Sequence, residues 1–130
     1  MNMLPSRKLL LPVATATSFL LFSAVAQAHP QLISSDPKAN AEVAALARIE
    51  LHFSETLIPQ FSGAKLVMSG MPGMTHGAMP MEVRVAGGED GKTMVITPAR
   101  PLTAGDYRVE WRAVSADTHP ITGDLSFKVK

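Results

Sequence analysis

The sequence predicts an all-β domain, a Greek-key barrel or sandwich of about seven strands. Three observations carry that expectation. Apolar and polar residues alternate with period two along several segments. Turn residues punctuate those segments about every ten positions. Only ANAEVAALAR, residues 39–48, has a helix-prone composition, and it is short enough to read as a turn or loop.

The first 28 residues stand apart. Arg7 and Lys8 precede an apolar run over residues 9–26, and Ala26-Gln27-Ala28 supplies a small-x-small cleavage pattern. The run approaches the length that spans a bilayer. Pro12, the hydroxyl residues and the Ala-x-Ala site favour a cleaved export signal over a retained anchor. The expected mature chain is residues 29–130, beginning at His29, a single domain of 130 − 28 = 102 residues.

The strands follow in order. QLISS (31–35) comes first, then ARIELHFSE (47–55), with Ile49, Leu51 and Phe53 on one face. GAKLVMS (63–69), MEVRVAG (81–87) and KTMVITP (92–98) are weaker runs. GDYRVEWRAVS (105–115) sets Tyr107, Val109, Trp111 and Ala113 against Arg108, Glu110 and Arg112. GDLSFKVK closes the chain with Leu125, Phe127 and Val129 inward. Asp36-Pro37, Gly87-Gly88, Asp90-Gly91, Thr103-Ala104-Gly105 and Thr122-Gly123 provide the turns. Met94 reads as core.

Composition narrows the function. Without Arg7 and Lys8 the mature chain carries 12 − 2 = 10 Lys+Arg against 11 Asp+Glu. That balance leaves no basic stripe, so nucleic acid and anionic lipid are poor partners for a soluble domain of this kind. There is no cysteine. A metal site here must draw on His, Met, carboxylate or the chain terminus.

VMSGMPGMTHGAMPME, residues 67–82, concentrates five methionines and one histidine among glycines and prolines. Methionine normally fills gaps in cores, yet these glycines and prolines forbid a helix and discourage a long strand. Met68, Met71, Met74, His76 and Met79 form a neutral thioether and imidazole set, which suits soft Cu(I). Zinc prefers Cys, His and carboxylate. Met68 shares strand parity with Leu66 and fits core as well as ligand; Met81 reads as packing. A sticky Met-rich protein-binding patch would need more apolar companions than Ala78.

Two His-Pro pairs offer harder donors. A terminal His29 would chelate through its α-amine and imidazole, and Pro30, lacking an N–H, blocks further backbone wrapping. Asp117 and His119 lie two apart in SADTHPITG. Amine, two imidazoles and a carboxylate make a tetragonal set that suits Cu(II). Each pair by itself also fits an exposed turn. His52 reads as a surface or cross-strand residue, and Glu55 as an exposed carboxylate.

IELHFSE, FSGAKLVM, the MPGM…H…M loop, KTMVITPARPLTAGDYRVEWRAVSADTHPITG and the HP start together resemble the CopC/PcoC family of periplasmic copper-resistance proteins. The resemblance spans essentially the whole mature chain. It implies a Greek-key β-barrel, cupredoxin-like or immunoglobulin-like, with Cu(I) and Cu(II) sites at separate ends. By that resemblance His76 binds Cu(I) with methionines drawn from Met68, Met71, Met74 and Met79. Cu(II) falls to His29, Asp117 and His119, with Glu55 as a weaker contributor. The implied role is a non-catalytic periplasmic copper carrier, with a multicopper oxidase and an inner-membrane copper protein as partners. Two alternatives stand beside it: a histidine-brace copper mono-oxygenase, and a plain β-sandwich interaction module.

Overall fold

Period-two alternation needs one buried face per strand, and the fold supplies it by stacking two sheets. The computed structural model describes Met3 and residues 29–70 and 77–130. Residues 4–28, within the expected export signal, and the loop residues Met71, Met74 and His76 lie outside the described residues. Nine strands run in order among the described residues: β1 (Leu32–Asp36), β2 (Glu42–Val43), β3 (Ile49–Phe53), β4 (Gly63–Gly70), β5 (Met79–Met81), β6 (Val83–Gly87), β7 (Thr93–Pro98), β8 (Gly105–Ala113) and β9 (Ile121–Val129). One sheet has the order β1-β3-β7-β6 and the other β2-β9-β8-β4-β5. All pairings are antiparallel except β2 with β9.

The expected parity holds. Ile49, Leu51 and Phe53 from β3, Tyr107, Val109, Trp111 and Ala113 from β8, and Leu125, Phe127 and Val129 from β9 are all buried between the sheets. Met94 joins them. Phe53 meets Trp111 edge-on at 5.1 Å between ring centroids, and Tyr107 stacks on Phe127 at 5.6 Å. The Tyr107 hydroxyl donates to the carbonyl of Thr103 at 2.7 Å, so this buried phenol is satisfied.

Two strands exceed the seven expected. Within residues 39–48, Glu42 and Val43 pair with Lys128 and Val129, giving that stretch strand character at one point. The run at 81–87 is divided: Met79–Met81 pairs with β4, whereas Val83 onward pairs with β7. The chain changes sheet at Glu82.

A candidate copper centre on the loop between β8 and β9

The site is assembled from two distant parts of the chain. The segment before β1 is fixed where Gln31 and Ser54 bond twice. Gln31 N–H donates to Ser54 Oγ and Ser54 N–H to the Gln31 carbonyl, both at 2.9 Å. Pro30 is fully buried, which anchors His29 beside it. On the other side, the loop after β3 is tied to the end of β8. Ile58 N–H donates to the Val114 carbonyl at 2.8 Å, and Val114 N–H to Ser62 Oγ at 3.0 Å. The loop that follows, residues 114–120, therefore leaves a braced strand end.

Asp117 is the centre of the arrangement. Its Oδ1 accepts from the Ser115 hydroxyl at 3.3 Å and from the His119 N–H at 3.2 Å. Thr118 between them takes a left-handed backbone, φ 62°. These bonds commit one carboxylate oxygen and leave Oδ2 for the rings. His29 Nδ1 makes a close ion-pair contact with Oδ2, and His119 Nδ1 stands 3.9 Å from it. The two imidazoles are 5.6 Å apart between centroids. One ligand atom from each of His29, Asp117 and His119 falls within 4.8 Å of the other two.

Asp117 Oδ2 is buried and accepts no hydrogen bond of sound geometry among the described residues. Burial pushes the Asp117 carboxyl pKa up. The His119 N–H, the charge of His29, the Ser115 hydroxyl and the charge of His119 together outweigh it, so the pKa lies below the ordinary 3.8. The carboxylate is thus ionised, buried at one oxygen and flanked by two ring nitrogens. A divalent cation fits that donor set, because two imidazole nitrogens and an ionised, buried carboxylate oxygen that accepts no hydrogen bond of sound geometry converge there.

Glu55 is half-buried just past the Ser54–Gln31 contact, and its carboxylate is not among the three converging groups. His52 is a cross-strand residue, its Nδ1 3.0 Å from Thr93 Oγ1 on the neighbouring strand. Ser115 and Thr118 were not singled out from the sequence. Their contribution is to backbone and carboxylate geometry, and the only advance sign was a serine two residues before an aspartate in a turn.

The methionine loop joins β4 to β5. Met68 and Met79 are direct register partners across that hairpin. Met68 packs in the core, while Met79 is half exposed on the edge strand. Met81 packs partly buried against the core, opposite Leu66, as expected of a packing residue. Because β8 runs antiparallel to β4, the β4 end from which this loop leaves, Gly70, is the register partner of Asp106. The His29–Asp117–His119 group follows the other end of β8, nine residues and on the order of 27 Å away.

The CopC domain model matches residues 32–130. The chain belongs to the CopC family. Among its CopC-family relatives, the copper resistance protein C of Pseudomonas syringae pv. tomato is 67% identical over 111 residues, covering 85% of this chain and 88% of that protein. The copper resistance protein C of Escherichia coli is 59% identical over 106 residues, covering 81% and 84%. In three dimensions the domain superposes on PcoC, a methionine-rich copper resistance protein from Escherichia coli, with a TM-score of 0.74. That match has 58% identity and covers 79% of this chain and 100% of PcoC.

Proposed function

We propose that this CopC-family chain is a periplasmic copper carrier, exported and cut before His29, that binds copper without catalysing a reaction. The observation that carries this reading is the buried Asp117 oxygen between the imidazoles of His29 and His119. Cleavage would add the His29 α-amine, giving Cu(II) three nitrogens and one carboxylate, with Glu55 as an outer contributor. Nitrogen and oxygen donors favour Cu(II), and thioethers favour Cu(I). The loop ligands would be His76 with Met71, Met74 and Met79. Met68 would be drawn in from the core edge, where it is already paired with Met79.

In this reading a change of oxidation state changes the preferred end of the molecule. A multicopper oxidase and an inner-membrane copper protein are the partners such a carrier would serve. The first experiment is N-terminal sequencing of the exported protein, expected to begin at His29. The second loads Cu(I), admits oxygen and follows copper by X-ray absorption. Sulfur scatterers should give way to nitrogen and oxygen; their persistence would sink the relocation.

The position of Asp117 weighs against a histidine-brace mono-oxygenase. The carboxylate contacts the space between the rings that oxygen would need. Sustained ascorbate-driven peroxide formation by the copper-loaded protein would reverse that judgement.

A further inference from the structure

Away from the core, Glu50 and His52 lie two apart on β3 and share the outer face of their sheet. Thr93 of β7 is the register partner of His52. Its Oγ1 donates to Asp90 Oδ2 at 3.0 Å and lies 3.0 Å from His52 Nδ1. A hydroxyl has one proton to give. Since Asp90 receives it, the hydrogen in the His52–Thr93 bond belongs to Nδ1. The lone pair of the neutral ring is therefore at Nε2.

That Nε2 faces Glu50 Oε2 at 3.9 Å, while Glu50 Oε1 is held by Arg48 Nη2 at 3.3 Å. A lone pair and a carboxylate oxygen, each fixed from behind, confront one another across a gap that a cation would fill. The side chains are 39% and 25% exposed, so the gap opens to solvent. On the adjacent β1, Asp36 is the register partner of Glu50 and Ser34 that of His52. A second carboxylate thus stands on the same outer face.

We infer that His52 and Glu50 form a second, weaker Cu(II) site, independent of the group at His29, Asp117 and His119. Imidazole and carboxylate suit Cu(II), which binds such donors more tightly than the other first-row divalent ions. Two bonds of about 2 Å on opposite sides of an ion span about 4 Å, so the 3.9 Å separation already suits a trans pair of donors. The Asp90–Thr93 chain behind the ring is the kind of support that orients a ligating histidine. With two protein donors instead of three or four, the site fills after the first.

The test is NMR of the isotopically labelled exported protein, its N-terminus confirmed as His29. Without metal, imidazole ¹⁵N shifts should place the His52 hydrogen on Nδ1. During stepwise Cu(II) addition, the rings of His29 and His119 should broaden with the first equivalent. The ring of His52 and the side chain of Glu50 should broaden with the second. His52→Ala should abolish the second event, and Thr93→Val and Glu50→Gln should each weaken it by about tenfold. A His52 ring that stays sharp through the second equivalent would overturn the site, as would unchanged second-event affinity in His52→Ala. Failure of the first event would count against the carrier reading alone.

Discussion

The backbone N–H of His119 donates to Oδ1 of Asp117 at 3.2 Å, across a Thr118 held at φ 62°. A β-branched residue in that region costs about 1–3 kcal/mol, so the loop spends stability to aim two side chains the same way. Thr118→Asn, which tolerates left-handed backbone, should raise the unfolding free energy by up to about 1 kcal/mol while preserving Cu(II) affinity. Thr118→Pro, with φ locked near −65°, should lower Cu(II) affinity by at least about tenfold. Competitive chelator titration and urea melts of both variants measure these effects.

Charge at Asp117 is separable from its shape. Asp117→Asn keeps an acceptor for the Ser115 and His119 bonds but removes the negative oxygen facing the rings. Cu(II) affinity should fall by roughly 10–100-fold, and Cu(I) affinity at the methionine loop should not change. Matched titrations under oxidising and reducing conditions would show it. An equal loss in both states would contradict the proposed separation into two sites.

Acid should act at two carboxyls. Asp90 accepts from the Lys92 N–H at 2.9 Å and from both the N–H and hydroxyl of Thr93 at 3.0 Å. The Lys92 bond leads in lowering its pKa, the Thr93 hydroxyl comes next, and burial opposes them. For both Asp90 and Asp117 the folded pKa lies below 3.8. Their contribution to stability is therefore full above the unfolded value and is lost as pH falls through the folded one. Thermal melts should show the loss beginning below about pH 4, and Asp90→Asn should shallow that decline. Cu(II) binding should also weaken on acidification, because protons compete with the metal for the ligand nitrogens.

Gly123 is the cross-strand partner of Trp111, and the indole lies so close that an added Cβ would come 2.8 Å from its Cε2. Gly123→Ala should therefore push the ring out of place and destabilise the sandwich by about 1–3 kcal/mol. Trp111 is the only tryptophan, so its fluorescence reports the displacement directly. A red-shifted emission with a lowered melting temperature is expected.

Strands were legible where one face is buried. In β3, β8 and β9 the alternation itself states which residues enter the core. The pairing of Glu42 and Val43 with β9 was hidden because it is too short to impose a pattern on two side chains. The change of sheet at Glu82 was hidden because it uses no turn residue. In the site, His29, Asp117 and His119 were legible from donor chemistry and the D-x-H spacing. Ser115 and Thr118 were not, since a hydroxyl that braces a carboxylate leaves no mark that distinguishes it from an ordinary loop residue. Met68 shares the parity of Leu66, and that parity correctly allowed for a place in the core.

The length of β8 has a consequence for copper traffic. Along β8, Tyr107, Val109 and Trp111 point inward, and the outer face offers no thioether or imidazole, only the carboxylates of Asp106 and Glu110 beside Arg108. On the proposed carrier reading, passage between the ends would then run through bulk water or through contact with another molecule. Relocation on oxidation should quicken with protein concentration and be intercepted by a soluble chelator. On that reading the protein would not quietly rearrange its own cargo; each oxidation would be an opportunity for handover.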